Sequence, residues 1–246
     1  LWKRLVFREQ RFWLRRLEAQ LCRKAALVLL CSNADEQVLR RMVGPALAPT
    51  KIVPNGVDIS FFSAPGPAEL RGHIVFTGSM DWLPNEDAAL HFLDEMWPVV
   101  QRRLPGRQFV VAGRNPGPRL RRRAERGQIV ITGTVDDIRP FLREALALVV
   151  PMRAGGGTRL KILEAFAASS PVVSSSIGIE GIEARPNIEY LAAESAAEFA
   201  DRLYQLASNP RLRAELTVAA SRLARERYSW DAIASDLARE YSARFV

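Results

Sequence analysis

Residues 145–168 read Ala145-Leu146-Ala147-Leu148-Val149-Val150-Pro151-Met152-Arg153-Ala154-Gly155-Gly156-Gly157-Thr158-Arg159-Leu160-Lys161-Ile162-Leu163-Glu164-Ala165-Phe166-Ala167-Ala168, and Pro171-Val172-Val173 follows closely. Leu146 to Val150 is a continuous apolar run, so the strand it predicts over 145–151 is covered on both faces. Such strands belong to parallel sheets with crossover helices. A glycine-rich loop comes next, then a helix over 158–168 whose Ala165 to Ala168 pack it on the sheet, then a strand over 171–174. This strand, loop, helix and strand sequence is a βαβ unit, and its repetition along the chain predicts a doubly wound, Rossmann-like α/β fold.

Upstream the same alternation gives a strand over 73–78, a helix over about 85–103, a strand over 108–112 and a helix over about 117–126. A strand over 128–132 and a helix over 136–143 complete that half. Phe109 to Ala112 repeats the continuous apolar pattern. Downstream, a strand over 188–191 precedes helices over about 195–208, 210–227 and 230–244. Pro210 opens the second of these, and Tyr228-Ser229-Trp230 separates the last two.

Before the repeat, residues 2–24 set Trp2, Leu5, Phe12, Trp13, Leu17 and Leu21 among basic residues at helical spacing, which predicts an amphipathic helix. Ala25 to Cys31 reads as a buried strand, Ser32 or Asn33 as the cap of a helix through Met42, and 51–54 as extended. Asn55-Gly56 is a turn signal. Pro65, Gly66, Pro67 and Gly72 mark a linker over 63–72 and an expected domain boundary. No repeated sequence segment or low-complexity tract is visible.

Composition narrows the function classes. With 246 residues, 48% of them hydrophobic, the chain can bury one core and part of a second. No uninterrupted apolar run reaches the length of a membrane-spanning helix. Lys3, Arg4, Arg8 and Arg11 break every candidate for a leader, so no signal peptide is expected. Cys22 and Cys31 form neither a disulfide framework nor a ligand set, and His73 and His91 stand far apart, so no metal is expected. The net charge of +8 favours an anionic partner. Much of it is local, in residues 2–24 and in Arg119 to Arg126. Neither cluster interleaves aromatics on a sheet face, so nucleic acid is not expected. The basic helix with Trp2, Phe7, Phe12 and Trp13 suits either a membrane surface or packing against another domain.

Open parallel sheets bind ligands beyond the carboxyl ends of their strands. Four loops there begin with or contain glycine. In the loop over 153–161, Gly155, Gly156 and Gly157 permit close backbone approach. The helix that follows offers free N–H groups and the positive end of its dipole, which together suit a diphosphate. Arg153, Arg159 and Lys161 are candidate countercharges, and Glu164 is a candidate partner for ribose hydroxyls. The other loops are Gly78-Ser79-Met80-Asp81-Trp82, Gly113-Arg114-Asn115-Pro116-Gly117 and Gly133-Thr134-Val135-Asp136. Neither the P-loop pattern nor the GxGxxG dinucleotide fingerprint is present.

Pro151-Met152-Arg153, Gly157-Thr158-Arg159-Leu160-Lys161-Ile162-Leu163-Glu164-Ala165-Phe166-Ala167 and Pro171-Val172-Val173 together resemble the retaining, group 1 (family four) glycosyltransferases of GT-B fold. Val53-Pro54-Asn55-Gly56-Val57-Asp58 with Phe61 or Phe62 looks like that family's hinge into the donor domain, Val130-Ile131-Thr132-Gly133 like the stretch that precedes its next helix, and Tyr228-Ser229-Trp230 like the start of its final helix. The resemblance covers nearly the whole chain. It implies that 1–62 is the end of an acceptor domain with the hinge, 63–228 the donor-nucleotide domain, and 229–246 a helix crossing back. The implied reaction moves a sugar from a nucleoside-diphosphate sugar to an acceptor saccharide or lipid-linked saccharide, without metal or other cofactor. Cell-envelope or exopolysaccharide synthesis in the bacterial cytoplasm, peripheral to the inner membrane, is the implied setting.

The same resemblance implies that Gly78, Ser79, Gly113, Gly133, Thr134, Gly155, Gly156, Gly157, Thr158, Leu160 and Glu164 line the donor site. Two departures matter. Gly156 stands where the family has the first of two glutamates eight positions apart, Glu164 being the second. The loop Gly78 to Asn85 also lacks the family's usual Arg and Lys, so the diphosphate countercharge falls by elimination to Arg159 and Lys161. Without a full acceptor domain, little or no transfer is expected from the chain alone. Gly156 keeps an alternative open, a non-catalytic module that binds nucleotide sugars.

Overall fold

The computed structural model describes residues 2–63, 72–125 and 129–245, so the interior of the expected 63–72 linker lies outside the described residues. The chain forms two compact units, one up to Asn55 and one from Gly56 onward.

In the first unit, α1 (Trp2–Lys24) leads to β1 (Val28–Leu30), α2 (Asn33–Val43) and β2 (Thr50–Ile52). Ser32 caps α2, its Oγ accepting from Asp35 N–H at 3.1 Å. The two strands are parallel, with Val28 opposite Thr50. They are shorter than the expected 25–31 and 51–54, because the ladder opens only with Val28 N–H to Pro49 O and closes with Val53 N–H to Leu30 O. Ala19, Leu39 and Val43 are the unit's small buried core. Trp13 and Leu14 of α1 remain 60% and 64% exposed.

The second unit holds the doubly wound sheet. It opens with α3 (Ile59–Ser63), followed by β3 (His73–Thr77), α4 (Leu83–His91), α5 (Trp97–Arg103) and β4 (Phe109–Ala112). Next come α6 (Pro118–Glu125), β5 (Val130–Gly133), α7 (Arg139–Arg143), β6 (Ala145–Val150), α8 (Leu160–Ala167) and β7 (Val172–Ser174). The chain closes with α9 (Ser176–Ile179), β8 (Leu191–Ala192), α10 (Ala196–Ser208), α11 (Pro210–Arg227) and α12 (Trp230–Phe245). The strand order is β5-β4-β3-β6-β7-β8, and every pairing is parallel. As the continuous apolar runs require, β3, β4, β6 and β7 are buried throughout, while the edge strand β5 is not.

Several boundaries differ from expectation for local reasons. The helix expected over 85–103 is interrupted by a wider turn at Phe92–Met96, where Trp97 N–H reaches back to Phe92 O. Pro98 follows at once and has no N–H to restore the regular ladder. This turn places Phe92 in the core, its ring 4.7 Å from Phe109 and 5.9 Å from Phe199. The helix expected from 136 begins at Arg139, since the Asp137 carboxylate accepts from Arg139 N–H at 2.9 Å. The strand expected over 188–191 begins only at Leu191. Residues 185–190 form a turn in which Asn187 has φ 62° and its N–H meets Tyr190 O at 2.7 Å.

The division at Asn55-Gly56 has clear contacts behind it. Val57 N–H donates to Tyr228 O at 2.7 Å, Arg139 to Phe61 O at 3.0 Å and Arg143 to Phe62 O at 2.9 Å. A methyl group at Gly56 would come within 2.6 Å of the Trp230 ring. Residues 56–63 and α12 therefore belong to the sheet unit.

Candidate functional site

From β3 the chain crosses to one side, through β4 and β5, and from β6 to the other, through β7 and β8. The reversal opens a crevice at the carboxyl ends of β3 and β6, where open α/β sheets hold ligands. Three of the four glycine loops frame it.

The loop after β3 is built by exclusion. Gly78 has φ 146°, and a methyl group there would lie 2.7 Å from Asn85 Nδ2 and 3.1 Å from Lys161 Nζ. A methyl group at Gly113, after β4, would lie 1.8 Å from Gly78 O. Only glycine allows these two loops and Lys161 to converge. Polar bonds then hold the loops: Ser79 Oγ donates to Asp81 and accepts from Arg114 Nε at 2.8 Å, and Asn115 donates to Asp81 at 2.9 Å. The bonds from Ser79 and then Asn115 hold the Asp81 carboxyl below the usual range.

The loop after β6 leads into α8, whose first position is preceded by Arg159 with no side-chain cap. The N–H groups of the first turn are thus not taken by a capping side chain, and the helix presents its positive end. Arg159 is 4% exposed and folds back over the glycines, donating from Nη1 to Gly156 O at 2.6 Å and to Gly157 O at 3.1 Å. It lies 5.9 Å from the Trp82 ring, and its Nε and Nη2, with Thr158 Oγ1, have no partner among the described residues. Burial lowers its pKa and the facing Glu180 opposes that shift. Arg159 orders the loop and retains unpaired N–H groups there. Arg153 does otherwise: it is bound to Asp87 at 2.6 Å at the surface, and that bond raises its pKa.

Lys161, one residue into α8, reaches under Gly78. Its Nζ donates to Asn85 Oδ1 at 2.8 Å and lies 3.9 Å from the Phe76 ring centre. Burial brings its pKa to about 7, the Arg159 charge pushes the same way, and Glu164 opposes. Glu164 is half-buried, and burial raises its carboxyl against the pull of Lys161. Leu160 is exposed at the loop edge.

The expected residues therefore divide. Gly78, Ser79 and Gly113 lie on the loops after β3 and β4, and Gly155, Gly156, Gly157, Thr158, Arg159, Leu160, Lys161 and Glu164 on the loop after β6 and on α8, all on the side of the crevice. Gly133 closes the edge strand β5 opposite Ala112 of β4, with open space beside it, and Thr134 follows it exposed; no described contact joins either residue to Lys161. Asn85, Phe76 and Glu180 are additions that sequence reasoning missed, and Trp82 was named only as part of its loop. Pro84-Asn85 after a strand-end glycine was the available signal, but asparagine near a helix start is too common to single out.

The family model described as glycosyl transferases group 1 matches residues 71–209. Phosphatidyl-myo-inositol mannosyltransferase of Mycobacterium tuberculosis is 31% identical over 205 residues, covering 77% of this chain and 53% of that protein. The Mycobacterium leprae protein of the same name is 31% identical over 201 residues, covering 77% and 52%. The chain thus spans about half the length of the curated relatives it matches. Among solved structures, Anabaena HepE in complex with UDP superposes with TM-score 0.78 at 17% identity, covering 93% of this chain and 67% of that one. Sucrose-phosphate synthase from Thermosynechococcus elongatus gives 0.75 at 21% identity, covering 94% and 61%. These are GT-B structures, and the likeness shows the same fold. Because the family model spans more than half of the chain, including the crevice and its loops, the chain belongs to the group 1 glycosyl transferases.

Proposed function

We propose that this chain provides the donor side of a glycosyl transfer from a nucleoside-diphosphate sugar. The observation that carries the reading is the convergence of Lys161, the glycines at 78, 113 and 155–157, and the uncapped start of α8 on one crevice. When the bond between the anomeric carbon and the diphosphate oxygen breaks, its electron pair stays with the diphosphate. Preorganised cations and helix N–H groups stabilise that developing charge. Lys161 and the Arg159 guanidinium supply the countercharge to the diphosphate, Glu164 accepts from the ribose hydroxyls, and the acceptor hydroxyl takes the sugar with retention of configuration, its proton passing to the departing diphosphate. The scheme invokes no metal.

HepE was solved with UDP and with UDP-glucose, and the curated relatives are named for mannosyl transfer to phosphatidyl-myo-inositol. By that likeness the acceptor is a saccharide or lipid-linked saccharide of the cell envelope, met in the cytoplasm at the membrane face. No helix among the described residues is long and apolar enough to cross a membrane. Acceptor contacts belong to a fuller N-terminal domain, so this chain alone transfers little or nothing. The second reading, a non-catalytic nucleotide-sugar module, is motivated by the open space at Gly156 where the family carries a glutamate.

Calorimetric titration with UDP, GDP and ADP tests the proposal, repeated on Glu164→Ala. One nucleotide should bind and lose affinity on substitution; no binding by any of the three would overturn it. Joining the chain to a complete acceptor domain and assaying sugar transfer separates an enzyme from a binding module.

A further inference from the structure

We propose that Asn85 is a positioning residue of this site: its amide, held between Ser79 O and Lys161 Nζ, sets where the Lys161 ammonium stands and how readily it keeps its charge. The inference rests on the donor-site reading for its consequence but not for its geometry.

Asn85 sits near the start of α4 and is 6% exposed. Its Nδ2 donates to Ser79 O at 3.0 Å, and its Oδ1 accepts from Lys161 Nζ at 2.8 Å. These bonds leave no choice of amide orientation. A backbone carbonyl can only accept, so the NH2 end must face Ser79; an ammonium can only donate, so the oxygen must face Lys161. The loop after β3 is thereby tied to α8 across the crevice by one neutral side chain. Gly78 leaves room for it, since a methyl group there would lie 2.7 Å from Asn85 Nδ2.

Neutrality matters. A carboxylate at position 85 would hold the ammonium equally well but cancel the charge that a diphosphate needs, whereas an apolar side chain would leave a buried cation without its acceptor. The amide anchors one of three N–H donors and leaves the charge intact. The other neighbours are fixed in different ways. The Phe76 ring of β3 faces the ammonium at 3.9 Å, and Arg159 and Glu164 bear on it from the loop before α8 and from α8 itself. Glu180 faces Arg159. Asp81 is tied to Ser79 and Asn115, and Asp87, on α4 beside Asn85, is paired with Arg153. Asn85 is thus the neutral acceptor through which the loop after β3 acts on Lys161.

The test starts without ligand. Lys3, Lys24, Lys51 and Lys161 are the chain's only lysines, so 15N-lysine labelling resolves the Lys161 Nζ signal, with Lys161→Met giving the assignment. Asn85→Asp should raise the Lys161 midpoint by about one pH unit or more, and Asn85→Leu should lower it, with fold retention read from circular dichroism. Both variants should weaken binding of the best of UDP, GDP and ADP by roughly tenfold, Asn85→Asp despite its more highly charged lysine. Unmoved midpoints in folded variants would overturn the inference; should Asn85→Leu not fold, the direction of the Asn85→Asp shift decides. If no nucleotide binds wild type, the donor-site reading falls while the lysine titration still reports on Asn85.

Discussion

Lys161 Nζ lies 3.9 Å from the centre of the Phe76 ring, so a cation from the helix after β6 rests on the face of a core aromatic of β3. The ring's electron-rich face favours the ammonium, but the surrounding burial disfavours its charge more, and the pKa settles near 7. In the free protein near neutrality this lysine is a cation held at a cost, which a diphosphate bound at the proposed donor site would relieve.

The cost predicts a pH dependence of stability. The folded-state pKa of about 7 lies below the unfolded-state value of about 10.4, so between these limits the unfolded chain binds more protons. Stability should therefore rise with pH across that window through this group. Urea unfolding at pH 6.5, 8 and 9.5 should show the rise in wild type and a flatter dependence in Lys161→Met. Equal slopes would contradict the buried, depressed lysine.

Diphosphate binding should restore the proton. At pH 8 the free protein holds Lys161 largely neutral, and a phosphate oxygen beside Nζ favours the charged form. Calorimetry in buffers of different ionisation enthalpy should give uptake of up to about one proton per nucleotide at pH 8. Lys161→Met should abolish most of that uptake and reduce affinity by about tenfold to a hundredfold.

Gly113 and Gly133 should behave differently although both end strands. A methyl group at Gly113 meets Gly78 O at 1.8 Å, so Gly113→Ala must push two backbone segments apart, costing about 2–4 kcal/mol and most nucleotide affinity. Gly133, with φ 68° and open space, should cost only about 1 kcal/mol on change to alanine and leave nucleotide binding intact. Thermal unfolding with calorimetry checks both; loss of binding in Gly133→Ala would return β5 to the site.

Glu164→Gln should separate binding from stability. Burial raises this carboxyl, so its charged form carries a desolvation penalty. The amide should leave the fold as stable or slightly more so, while nucleotide affinity falls by about tenfold through loss of a charged acceptor for ribose. A variant that binds like wild type would remove Glu164 from the site.

Much of the site was legible because its signals are local. The three glycines before Thr158 and the helix after them follow from conformational freedom and periodicity, and Lys161 and Glu164 lie on that helix. Gly133 and Thr134 looked equivalent to Gly78 and Ser79 at the ends of strands; that β5 is the edge strand, with Gly133 opposite Ala112 of β4, depends on strand order, which no local pattern carries. Arg153 was a third candidate countercharge; its pairing with Asp87, 66 residues earlier, is a contact that no local pattern carries.

The amino-acid sequence by itself determined the alternation of buried strands and crossover helices, the glycine loop and the family, since continuous apolar runs, periodicity and turn chemistry act over a few neighbours. The tertiary structure alone decided that Asn85, 76 residues before Lys161, accepts from its ammonium. It decided equally that Arg159 folds onto its own loop, and that the units divide at Asn55-Gly56 because Val57, Phe61 and Phe62 bond to Tyr228, Arg139 and Arg143. The first of these follows from the placement of β3 beside β6, where the crossovers part and groups distant in the chain share one low-dielectric crevice; the last depends on chain segments far apart in the sequence meeting in the fold.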